Sequence, residues 1–83
     1  MSVSMSSLAQ LDVGGQARVV GVRGDDEISQ RLLEMGLTPG VNISLLGRAL
    51  LGDPIEIEVR GYRLSVRRSE AERVDIDVIG DNT

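Results

Sequence analysis

Apolar and polar residues alternate with period two along several stretches of this chain. Val41, Ile43 and Leu45 share one face of Val41–Leu46, with Asn42 and Ser44 on the other. Ile55, Ile57 and Val59 alternate with Glu56 and Glu58, and Val74, Ile76 and Val78 alternate with Asp75 and Asp77. Such alternation predicts half-buried strands. The valine-rich stretch Ala17–Val22 reads as a further strand. Between Asp26 and Met35 the period changes: Ile28, Leu32 and Met35 fall on one face of a helix. Leu32 belongs to the core; its neighbour Leu33 is not fixed by the pattern.

The joints between these segments carry their own signals. Gly36 accepts the positive φ that ends a helix, which puts Leu37 where a Schellman motif wants an apolar contact back onto Leu32. Pro39–Gly40 suits the centre of a type II turn. Asp12–Gln16, with Gly14–Gly15, is a turn, and Leu8 and Leu11 tuck the preceding chain onto the core. Gly47–Gly52 is a connecting loop or a strand bend. Gly61–Tyr62 fits a two-residue type II′ hairpin turn. Folding about it pairs Val59 with Leu64 and Ile57 with Val66 inside, and Glu58 with Ser65 and Glu56 with Arg67 outside. It also sets Arg60 against Arg63. Ser69-Glu70-Ala71-Glu72 has capping-box spacing and predicts a single helical turn.

The expected organisation is a frayed tail over residues 1–7, one domain over 8–79, and a C-terminal tail over 80–83. Five strands are expected, with a helix between the first and second and a one-turn helix before the fifth. Antiparallel strands this short need their edges closed or covered. The expectation is therefore a mainly β fold, a small five-stranded SH3-like barrel with one inserted α-helix.

The segments Arg31-Leu32-Leu33-x-Met35-Gly36-Leu37-x-Pro39-Gly40, Leu51-Gly52-Asp53-Pro54-Ile55, Gly61-Tyr62, Leu64-Ser65-Val66-Arg67 and Glu70-Ala71, in this order, resemble the ferrous iron transport protein A (FeoA) family. The resemblance runs from about Leu8 to Val78. The same small domain is also similar to the C-terminal SH3-like module of iron-dependent repressors, but there is no helix-turn-helix here. The family resemblance implies a small cytoplasmic accessory protein of bacterial ferrous iron uptake. It implies action by protein contact, with FeoB, a membrane permease carrying a cytoplasmic GTPase domain, as the partner.

Composition narrows the chemistry. The 83 residues carry a net charge of −4 and include neither histidine nor cysteine. The usual general base and thiol nucleophile are therefore missing, as is any disulfide. Glu56, Glu58, Asp75 and Asp77 belong to solvent faces, and Gly14–Gly15 lacks the spacing and lysine of a phosphate loop. No enzyme activity, cofactor or metal site is expected. Asp25-Asp26-Glu27, the densest acidic run, reads as a helix N-terminus. The acidic balance argues against nucleic acid. No apolar run approaches a membrane span, and no signal peptide is evident, so a cytoplasmic protein without direct membrane insertion is expected.

A protein-contact surface is what remains. Leu50 and Leu51, with Asp53 beside them, lie in a glycine-flanked loop. The leucines are either exposed anchors or plugs of a barrel end. Tyr62 and Arg63, on the opposite hairpin, form a second candidate patch, since both residue types are enriched at interface hot spots. With Tyr62 the one aromatic residue, an aromatic-lined proline-peptide groove is disfavoured. Two other readings remain: a transition-metal-responsive sensor or carrier, and a structural subunit that self-associates as a homo-oligomer through a barrel edge.

Overall fold

The computed structural model describes residues 5–79. Its elements are β1 (Met5–Ser7), β2 (Gln16–Val22), α1 (Glu27–Glu34), β3 (Asn42–Arg48), β4 (Ile55–Val59), β5 (Tyr62–Val66), α2 (Arg68–Ala71) and β6 (Val74–Ile79). Single 3-10 turns occupy Leu8–Gln10 and Leu50–Gly52. The strands form one antiparallel sheet in the order β1-β6-β2-β3-β4-β5. Residues of β2 to β6 all contribute to one buried cluster with Leu8, Leu11, Leu32, Leu37 and Ala71. A flat sheet could not do this, so the sheet coils around its core. Bulges between Val19 and Gly21 and between Leu45 and Gly47 add local twist.

The corner from α1 to β3 forms as its residues dictate. Gly36 has φ +113°, its N–H donates to the Leu33 carbonyl at 3.0 Å, and the Leu37 N–H donates to the Leu32 carbonyl at 3.2 Å. Those two bonds are the Schellman ending. Leu32 and Leu37 are both fully buried, while Leu33 points outward at 37% exposure. Gly40 has φ +94° and the Val41 N–H donates to the Thr38 carbonyl, closing a type II turn on Pro39–Gly40. That turn lays β3 against β2: the Gly40 N–H donates to the Val19 carbonyl, and the Val19 N–H to the Val41 carbonyl, each at 2.8 Å.

Several expectations need correction. The sheet has six strands among the described residues, because Met5–Ser7 pairs with β6 where a frayed tail was expected. Backbone bonding to Asp75, Ile76 and Asp77 holds this strand; its serines give no hydrophobic alternation to read. Residues 1–4 of the expected N-terminal tail and the whole expected C-terminal tail, 80–83, lie outside the described residues. Val78 is not a core residue but is 49% exposed. It lies beyond Asp77, the last β6 residue paired with β1, so one flank lacks a described neighbour. The helical turn begins at Arg68, not at a Ser69 cap. Its first N–H is met from elsewhere, the Asp53 carboxylate accepting from the Arg68 N–H at 2.9 Å, while Glu70 within the turn accepts from the Arg67 N–H of the cap at 3.4 Å.

The β4–β5 turn is also shifted. Its central residues are Arg60 (φ 53°) and Gly61 (φ 84°), not Gly61 and Tyr62. Positive φ at both positions makes it a type I′ turn rather than II′. The pairs are Val59–Tyr62, Ile57–Leu64 and Ile55–Val66 on one face, and Glu58–Arg63 and Glu56–Ser65 on the other. Moving a two-residue turn by one position slides the register by two, which keeps every side chain on its face. The apolar pattern therefore permits both registers, which differ in what stands opposite Arg63. The observed one replaces an Arg60–Arg63 opposition with Glu58 opposite Arg63.

Arg60 holds its positive φ at a steric cost that Asn bears more easily. Arg60→Asn is expected to raise stability, by up to about 1 kcal/mol, with no change in the hairpin register. Urea unfolding with nuclear Overhauser contacts between Ile57 and Leu64 checks both points.

Candidate functional site

The β3–β4 loop presents the first candidate surface. The Ala49 N–H donates to the Pro54 carbonyl at 2.9 Å and the Gly52 N–H to the Ala49 carbonyl at 2.8 Å. These bonds draw the loop into a tight turn with Leu50 and Leu51 at its tip. Leu50 is 87% exposed and Leu51 94%. Neither plugs a barrel end. Leu51 also holds φ 68°, a left-handed conformation that costs a leucine roughly 1–2 kcal/mol relative to its ordinary regions. Asp53 is exposed but has a structural task, capping the first turn of α2.

Tyr62 and Arg63 lie at the other end of β4. Tyr62 is 71% exposed and opens β5 rather than filling the turn. Arg63 is exposed on the opposite face of the strand. The structure therefore does not bring the two candidate patches together. Sequence pattern alone also passes over Arg60, Arg67 and Arg68, which flank the second patch. The available signal is four arginines between residues 60 and 68 with no acid among them.

The acidic run behaves as a helix start. Asp26 is the N-cap of α1, and its carboxylate accepts from the Ser29 N–H at 3.2 Å and the Ser29 hydroxyl at 2.9 Å. The Arg73 guanidinium also donates to it. That bond first, then the two from Ser29, hold the Asp26 carboxyl far below the ordinary carboxylate range. A second ion pair, Arg31 with Glu70, again joins α1 to α2. Arg23 pairs with Asp75 at 3.1 Å and reaches the Glu72 carbonyl, and Arg18 pairs with Asp77 at 3.6 Å. A solvent-open depression of about 630 Å³ lies beside Arg23, lined also by Ser6, Ser7, Arg68 and Glu72. Among the described residues no three His, Cys, Asp or Glu side chains are grouped to hold a metal ion.

Because its folded pKa is depressed, ionised Asp26 contributes stability above about pH 4, the unfolded carboxylate range. Below that, acid protonates the unfolded chain first, and the contribution fades until the folded carboxyl is protonated as well. Asp26→Asn keeps a competent N-cap but removes the charge facing Arg73. The expected result is a lower urea midpoint for the variant at pH 7 and a gap from the parent that narrows below about pH 4. A gap independent of pH would mean that the charge is not what matters.

A family model for the FeoA domain matches residues 6–78. The Fe(2+) transport protein A/Fe(2+) transporter FeoB fusion protein of Porphyromonas gingivalis is 35% identical over 75 residues, covering 90% of this chain and 9% of that protein. The chain thus spans about a tenth of that relative's length. The solution structure of a FeoA-like protein from Clostridium acetobutylicum superposes with a TM-score of 0.89 at 29% identity, over 100% of this chain and 95% of that one. Stenotrophomonas maltophilia FeoA, solved with zinc and described as a procaryotic SH3 domain protein, gives 0.76 at 31% identity, over 86% and 88%. A manganese-dependent transcriptional repressor at 11% identity and the manganese regulator SloR at 19% share the fold alone. With a family model spanning nearly all its described residues, the chain belongs to the FeoA family.

Proposed function

We propose that this protein is a non-enzymatic accessory module of bacterial ferrous iron uptake. It works in the cytoplasm and docks on the cytoplasmic side of a FeoB-type permease. The observation that carries this reading is the Porphyromonas relative, in which the matching domain belongs to the same polypeptide as the transporter FeoB. Fusion holds two modules at high effective concentration, an arrangement suited to partners that must meet.

The chain's own residues support contact rather than catalysis. It has no histidine or cysteine. Asp26, Glu70, Asp75 and Asp77 are engaged with arginines, and Asp53 with a backbone N–H. The fold leaves the Leu50–Leu51 tip unused. Two leucines held in solvent, one in a costly backbone conformation, suit an anchor that buries itself in a partner. The Stenotrophomonas relative's zinc complex favours a second reading, a metal-responsive sensor or carrier. It has no support from a ligand cluster among the described residues.

Titration against the purified cytoplasmic part of a FeoB-type permease tests the first reading. Replacing Leu50 and Leu51 by Ser is expected to weaken docking by about tenfold or more and to leave the thermal midpoint nearly unchanged. A large fall in midpoint would make the leucines structural. No association of the parent chain, together with normal iron uptake in a deletion strain, would refute the reading. Anaerobic calorimetry with ferrous ion decides the second: tight stoichiometric binding supports it and absence of heat refutes it.

A further inference from the structure

β5 ends the sheet: it pairs with β4 and with no other strand among the described residues. The register fixes which of its backbone groups are spent. In a two-residue hairpin the pair flanking the turn is hydrogen-bonded, and such pairs recur at every second position. Tyr62, Leu64 and Val66 are therefore bonded to β4. The N–H and C=O of Arg63 and Ser65 point away from it. No loop or turn bond reaches either residue among the described residues.

The charges along this edge are also unspent. Of the nine arginines, four are in ion pairs, Arg18, Arg23, Arg31 and Arg73, and Arg48 donates to the Leu11 carbonyl. Arg60, Arg63, Arg67 and Arg68 are exposed and make no ion pair among the described residues. Arg63 lies on β5, Arg60 in the turn before it, Arg67 directly after it, and Arg68 opens α2. Glu58 is opposite Arg63 in the ladder but forms no ion pair with it. Arg63 on the strand and Arg67 just past its last residue are four residues apart, about 13 Å in extended chain. An acidic protein thus gathers four arginines without ion pairs on and around an open sheet edge.

We infer that the β5 edge accepts one more strand: an extended segment of a protein partner with Asp or Glu at alternate positions. Its backbone bonds to Arg63 and Ser65, and its acids face Arg63 and Arg67. Main-chain bonds supply affinity and the alternate side chains supply selectivity. β4 shows the pattern in miniature, since Ile-Glu-Ile-Glu-Val already lines the other side of β5. A second copy is a poor occupant, because two β5 edges would bring their arginines together. A phosphate-rich bilayer or nucleic acid would match the arginines. It would leave the amides idle, and it would meet a chain of net charge −4. The inference holds whichever protein supplies the segment, and it is independent of the Leu50–Leu51 anchor.

The test uses the ¹⁵N-labelled full chain and an acetylated peptide alternating Val and Glu. Controls are the same peptide with Lys for Glu, one with Pro for alternate Val, and phosphatidylglycerol vesicles. The expected result is binding of the Glu peptide alone, with slowed amide exchange at Arg63 and Ser65. Arg63→Ser and Arg67→Ser should each weaken it about two- to fivefold, and added salt should weaken it further. Equal binding of the Pro peptide would reduce the site to charge attraction and overturn strand addition. Preference for vesicles would assign the arginines to a membrane instead. If no peptide binds and the doubly substituted chain self-associates, the arginines merely guard the edge, and the inference fails.

Discussion

A helix of eight residues does not persist in water by itself. α1 is held by the turn at its C-terminal end. Leu32 and Leu37 are both buried without residual exposure, and the Leu37 N–H closes onto the Leu32 carbonyl across the glycine between them. The next turn passes its hydrogen bonds directly to Val19, and β3 starts in register with β2. A change of one residue in this corner would turn Ile43 and Leu45 outward and carry the error into β4. The spacing from Leu32 to Val41 is thus a constraint on half of the sheet, not a local detail.

A second set of contacts places the small helix. Asp26 with Arg73 and Arg31 with Glu70 join the start and the middle of α1 to the neighbourhood of α2. These pairs are partly exposed, and such pairs contribute modestly to stability. Their value lies in position. Glu70 is mostly buried and has both Arg31 and the Arg67 N–H as partners, so its charge is not left uncompensated. The four ion pairs among the described residues therefore lie around α1, α2, β2 and β6, and none involves β5.

The α1–β3 corner was legible in the sequence because each of its signals is local: Gly36, Leu37, Pro39 and Gly40 act within a few residues of themselves. β3, β4 and β6 were legible because their apolar residues alternate. The hairpin register was not, since Gly61 suits either turn and the apolar pattern is blind to a slide of two. β1 was missed because a ladder to β6, not burial of its serines, holds it. The start of α2 was misplaced because its cap is Asp53, fifteen residues earlier in the chain. For the contact surface, sequence supplied Leu50, Leu51, Tyr62 and Arg63 but left the fate of the leucines open. Their exposure follows from the bonds Ala49 makes with Pro54 and Gly52, which no side-chain pattern announces.

The pairing of β1 with β6 has a mechanical consequence. Met5 stands opposite Asp77, so the first and last described strands bring the ends of the domain to one corner. The chain entering β1 and the chain leaving β6 meet at one place. A tether at the head of β1 and one at the tail of β6 would therefore hold the domain by the same corner.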